Sequence, residues 1–80
     1  MKYDSIMEIM KEQLIIKGYY YTSYGDYCIG IKFPDCKVEI WETISDGLYF
    51  KVIDNNGKKI FAKTYKSPNN VFKYGFKNII

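Results

Sequence analysis

The chain predicts an α+β fold: an antiparallel β-meander of four or five strands with an N-terminal helix and a short C-terminal helix. Turn signals at Phe33-Pro34-Asp35-Cys36, Ser45-Asp46-Gly47 and Asn55-Asn56-Gly57 separate runs of alternating apolar residues at near-even spacing. Ser5-Ile6-Met7-Glu8 has the pattern of a capping box. Ser67-Pro68 pairs an N-cap residue with proline at the first helical position, where its missing N–H costs nothing.

After Ser5, residues Ile6, Met7, Met10 and Leu14 recur at helical spacing, and Lys17-Gly18 supplies a cationic last turn and a C′ glycine. The spacing predicts a helix over 6–17. Tyr19 to Tyr24 is rich in β-formers and reads as a short extra strand turning at Gly25-Asp26, or else as the start of one long bent strand running to Phe33. Strands are expected at 27–33, 36–44, 48–54 and 58–66. Near the end, Val71, Phe72, Phe76 and Ile79 keep a helical stripe. Gly75 interrupts it at about 1 kcal/mol of propensity.

Cross-strand partners share a face, so turn lengths assign side chains. A two-residue loop at Pro34-Asp35 sets Phe33 opposite Cys36, Ile31 opposite Val38 and Ile29 opposite Ile40 on a core face. It sets Cys28 opposite Trp41 on the other. The two cysteines then point to opposite sides and cannot form an intramolecular disulfide. A three-residue loop ending in Gly47, at the left-handed position of a bulged hairpin, pairs Ile44 with Leu48 and Ile40 with Val52. Glu42 falls opposite Phe50, at the edge of the core face. A three-residue loop at 55–57 puts Ile60, Ala62 and Thr64 inside, because the opposite register would bury an unpaired Lys63.

The second face then carries Trp41, Tyr49, Phe61 and Tyr65 among Lys32, Lys37, Lys51 and Lys63. Aromatics interleaved with cations can form a stacking surface for single-stranded nucleic acid, or anchors for a protein partner. The structural reading is that the C-terminal helix, or a second subunit, covers these aromatics, since two helices do not easily share one face of so small a sheet.

Composition narrows the function. The 80 residues make a single domain, 1–80, and the 19% aromatic content suffices for folding without a metal or disulfide. The net charge is only +3, and all twelve cations are lysine, with neither arginine nor histidine. Without histidine there is no Ser-His or Cys-His pair, and Cys28 and Cys36 offer no zinc geometry. Glu39 and Glu42 face opposite sides and form no carboxylate dyad. Asp35, Asp46 and Asp54 read as turn residues. No enzyme activity, catalytic residue, metal or cofactor is expected. There is no apolar run of signal-peptide or membrane-span type, so a cytoplasmic location without membrane association is expected. The bias to Ile, Lys, Asn and Tyr without Arg is what AT-rich coding DNA gives, and points to a low-GC bacterium or its phage or plasmid.

The order helix, antiparallel sheet, helix resembles double-stranded RNA-binding domains, but here the second helix opens with Ser67-Pro68-Asn69-Asn70 instead of lysines. The lysine-and-aromatic sheet also resembles small single-strand-binding proteins. Both are likenesses of architecture. The expectation is a non-catalytic binding protein. The first reading is an inhibitor or adaptor of phage or mobile-element type that docks on a host enzyme, for example a nuclease or defence effector. The second is direct binding of single-stranded nucleic acid. An exposed edge strand would also allow a homodimer.

Overall fold

The computed structural model describes residues 5–45 and 47–79; Asp46, read above as a turn residue, lies outside them. Helix α1 (Ile6–Ile16) is followed by strands β1 (Thr22–Ser23), β2 (Cys28–Lys32), β3 (Cys36–Glu42), β4 (Leu48–Asp54) and β5 (Lys59–Tyr65). The five strands form one antiparallel sheet in chain order. The C-terminal helical segment comprises α2 (Pro68–Asn70), a π-helical turn (Val71–Gly75) and a 3₁₀ turn (Phe76–Asn78). The α+β meander expected from the turn signals is the fold observed. Among the described residues no helix is long and apolar enough to cross a membrane.

The ends of α1 are fixed by local chemistry. Ser5 Oγ accepts the Glu8 N–H at 3.2 Å, while the Glu8 carboxylate stands 3.7 Å from Lys11. Glu42 Oε1 accepts the Met7 N–H at 3.0 Å. The carboxylate thus meets an orphan donor at the positive end of the helix, which is why an acid occupies the rim of the core face. At the other end Gly18 has φ +85°. Its N–H donates to Ile15 O, and the Tyr19 N–H donates to Leu14 O. These two bonds make a Schellman motif that turns Tyr19 back onto the core.

The β2–β3 hairpin has the expected register, from Cys28 opposite Trp41 to Lys32 opposite Lys37. At the first turn Tyr24 N–H donates to Cys28 O, so Tyr27 joins the loop and Gly25-Asp26 is not a two-residue turn. Between β3 and β4 the register is two residues away from the expected one: Ile40 faces Phe50 and Glu42 faces Leu48. The closing pair is Thr43 with Gly47, because Thr43 Oγ1 accepts the Gly47 N–H at 2.8 Å. Ile44 is left exposed at the tip. A shift of two keeps every side chain on its assigned face.

The last hairpin differs more. Its three-residue loop 55–57 is as expected, with Gly57 at φ +84° and the Asp54 N–H donating to Lys58 O. A β-bulge then intervenes. Val52 faces Phe61 while Ile53 faces Lys59, so Ile60 is an extra residue and the strand beyond it changes face. Phe61, Lys63 and Tyr65 therefore belong to the core face, and Ala62 and Thr64 to the other. The argument against burying Lys63 does not apply at an edge strand, where its side chain runs out to solvent and stays exposed.

Both helical segments pack on the same face. Met7, Met10 and Leu14 of α1 and Val71 and Phe76 of the C-terminal segment share one core cluster with Ile29, Ile31, Val38, Ile40, Leu48, Phe50 and Val52. Phe76 is its aromatic hub, with ring centroids 5.0 Å from Tyr19, 5.2 Å from Phe50, 5.3 Å from Phe72 and 6.3 Å from Phe33. Phe61 and Tyr65 meet Phe50 edge-on at 6.3 and 6.2 Å. The expectation that two helices would not share this face is overturned: the C-terminal segment is short, and Gly75 lets its backbone lie against the Phe50 ring, where a Cβ would stand 3.3 Å from ring carbons.

Phe76→Ala is expected to lower unfolding stability by about 3–5 kcal/mol, measured by urea denaturation. Lys63→Ala, on the same face of the sheet but exposed, should change it by less than about 0.5 kcal/mol. Equal losses for the two would contradict the assignment of faces.

Candidate functional site

With both helical segments on one side, the opposite face of the sheet carries no helix among the described residues. Its side chains fall into transverse rows set by the strand registers. At the end near the Pro34-Asp35 turn, Lys32, Lys37, Ile53 and Lys59 stand side by side across β2 to β5. The middle row is Gly30, Glu39, Lys51 and Ala62. The far row is Cys28, Trp41, Tyr49 and Thr64, extended by Tyr24 of the β1–β2 connection, which bonds Cys28. Rows two residues apart are separated by about 6.6 Å, so some 13 Å of strand lies between the Lys32–Lys59 row and the Trp41–Tyr49 row, with Lys51 midway and the Tyr24 ring lying back over Gly30 towards Lys37.

The sequence-based surface is thus divided. Trp41, Tyr49, Lys32, Lys37 and Lys51 lie on the open face as expected. Phe61 and Tyr65 do not: the bulge at Ile60 turns them into the core, where Tyr65 is buried and Phe61 packs against the cluster. Lys63 goes with them, 5.7 Å from the Tyr65 ring. In their place the face gains Tyr24, Glu39 and Lys59. Glu39 was legible, since it lies two residues from Trp41 on one strand. Lys59 and Tyr24 depend on the bulge and on a loop length that alternation does not encode.

Trp41 is the anchor of the far row, 44% exposed, with its indole Nε1 donating to Glu39 Oε1 at 3.4 Å. Lys37 bridges two partners. Its Nζ lies 4.8 Å from the Tyr24 ring centroid and 3.6 Å from Glu39 Oε2. The Tyr24 hydroxyl chiefly holds its ammonium above the usual lysine pKa; burial opposes this, and Glu39 adds to the rise. Tyr24 can lie here because residue 30 is glycine: a Cβ would come 2.6 Å from Tyr24 Cε2. The remaining ion pair among the described residues, Lys11 with Glu8, is on α1, so Lys32, Lys51 and Lys59 carry no such partner there.

Among the described residues no cluster of His, Cys, Asp or Glu could hold a metal ion. Both cysteines are free and buried, on opposite sides of the sheet. Burial pushes both thiols up, with Glu39 adding to the rise at Cys28 and Asp35 at Cys36. Neither is an activated nucleophile. A shallow groove between α1 and α2, lined by Ile9, Gln13, Lys17, Pro68 and Phe72, is the seam between two packed helices.

No protein-family model, no curated protein and no solved structure matches the chain. The geometry therefore stands alone: a face with a cationic end, an aromatic end and a carboxylate between them.

Because the folded thiols have raised pKa values, their contribution to stability is complete below the unfolded thiol value of about 8.5 and falls as pH rises above it. The buried Tyr65 hydroxyl, also raised, acts in the same direction. Stability measured in urea should hold from about pH 7 to about pH 8 and fall from there towards about pH 10, and fall less in a Cys28→Ala/Cys36→Ala variant. An identical pH dependence in the two proteins would contradict the burial of the thiols.

Proposed function

We propose that this protein is a non-catalytic binding module, an inhibitor or adaptor that docks on another protein through the open face of its sheet. The observation that carries this reading is the half-exposed Trp41, directly opposite Tyr49 on a sheet face that no helix covers among the described residues. Aromatic anchors on preorganised strands lose little conformational freedom on binding, and such residues supply most of the energy of protein interfaces. The composition, rich in Lys, Ile, Asn and Tyr and without Arg, supports a source in a low-GC bacterium or one of its phages or plasmids, where a host enzyme would be the target.

The second reading is direct binding of single-stranded nucleic acid. The row of Lys32, Lys37 and Lys59 beside Trp41 and Tyr49 favours it. Two features weigh against it. Phe61 and Tyr65 are withdrawn into the core, which shortens the stacking surface. The middle row, where Glu39 faces Lys51, adds no net positive charge along the path a phosphate backbone would take between the lysine row and the aromatics.

Affinity capture from a host lysate should recover a partner with the wild-type protein and lose it with Trp41→Ala, while the variant's unfolding midpoint stays close to wild type. Recovery of the same proteins by both would remove Trp41 from the interface. A mixed single-stranded oligonucleotide should bind no tighter than roughly 10⁻⁴ M at physiological salt, the weak end of nonspecific binding. Micromolar binding that weakens steeply with salt would favour the second reading.

A further inference from the structure

The rows of the open face also describe what would fit them. Lys32 and Lys37 stand directly opposite one another, a like-charge cross-strand pair that disfavours the fold. Lys37 is partly neutralised by Glu39 and Tyr24, but Lys32 and Lys59, at the two ends of the same row, have no carboxylate at ion-pair distance among the described residues. An occupant that places carboxylates over this row relieves the repulsion. Some 13 Å along the strands, Trp41 offers an apolar contact. Between the two ends, Glu39 stands opposite Lys51 and is engaged by Lys37 and the Trp41 indole, so the middle row carries no net charge.

The edges of the sheet do not offer an alternative mode. β1 has only two residues, and β5 is bulged at Ile60 and carries Lys59 and Lys63. Such edges resist addition of another strand.

Resting on the reading of the open face as the working surface, we propose that its occupant is an acidic segment of a partner protein. The segment carries carboxylates over Lys32 and Lys59 and an apolar side chain on Trp41. A uniformly charged polyanion matches this pattern poorly, because net positive charge lies only in the Lys32–Lys59 row: the middle row pairs Glu39 with Lys51, and the Trp41 row holds no lysine. So does the basic cleft of a nucleic-acid enzyme, which the lysine row would repel. The partner therefore presents an acidic surface and not its nucleic-acid groove.

The test uses fluorescein-labelled helical peptides of about 14 residues and anisotropy with the full chain. The first peptide has glutamates at one end and a leucine seven residues further on, which puts both on one helical face about 10.5 Å apart, within reach of the long lysine side chains. It should bind at least about tenfold tighter than a version with lysines for the glutamates or one with serine for the leucine. Lys32→Ala/Lys59→Ala and Trp41→Ala, all at exposed positions, should each weaken it by about tenfold. No binding, equal binding of the lysine peptide, or equal binding of the leucine-free peptide would overturn the proposal. So would tighter binding of labelled oligothymidine. If the peptides fail while a Trp41-dependent protein partner is still captured, the acidic pattern falls and the open-face reading stands. If both fail, both fall.

Discussion

The contacts of Phe76 decide the shape of the molecule. Its ring meets Tyr19 from the end of α1, Phe33 from the first tight turn, Phe50 from the middle of the sheet and Phe72 from its own segment. Elements from both ends of the chain are thereby joined on one side of the sheet. The approach is possible because Gly75 lets backbone lie on the Phe50 ring. It is held in register by the Schellman turn at Gly18 and by the Ser67 cap, whose Oγ accepts the Asn70 N–H at 3.2 Å. In an 80-residue chain the core is thin and a single large ring is a considerable part of it.

The open face follows from that arrangement. Once Tyr19, Phe61, Tyr65, Phe72 and Phe76 are gathered in one cluster with Phe50, both helical segments lie on that side, and among the described residues no helix remains to cover the other. The remaining face is a mixture of lysines, one central carboxylate, and aromatics that are only partly covered. Its small residues have positional reasons. Gly30 makes room for Tyr24, and Gly47 lies where a Cβ would come 2.9 Å from Thr43 Oγ1 and 3.1 Å from Thr64. The face is thus rigid and graded in charge, the conditions under which a few side chains can set the orientation of a partner.

The legible parts of the sequence were those in which local and global signals agree. Helix α1, its caps and the Phe33–Cys36 hairpin combine strong turn chemistry with an unambiguous apolar alternation. Two misreadings have physical causes. At 43–47 the expected loop used glycine as the turn residue, whereas the Thr43 hydroxyl binds the Gly47 N–H and moves the closing pair. On β5 both alternation classes contain apolar residues, Ile60 and Ala62 in one and Phe61 and Tyr65 in the other. The choice then rested on keeping Lys63 out of the core, which an edge strand achieves without a change of face. The bulge at Ile60 leaves no mark in the alternation. As a result, the half of the candidate surface on β3 and its neighbours was legible and the half on β5 was not.

Packing on one face and recognition on the other form a single account, and its central claim is that Trp41 faces solvent in the isolated protein. Trp41 is the only tryptophan, so its emission and its quenching by acrylamide over a dilution series test the claim most directly. Solvent-exposed emission, readily quenched and independent of concentration, is the expected result. Blue-shifted emission that resists quenching would contradict it, and a blue shift lost on dilution would identify the cover as a second copy of the chain.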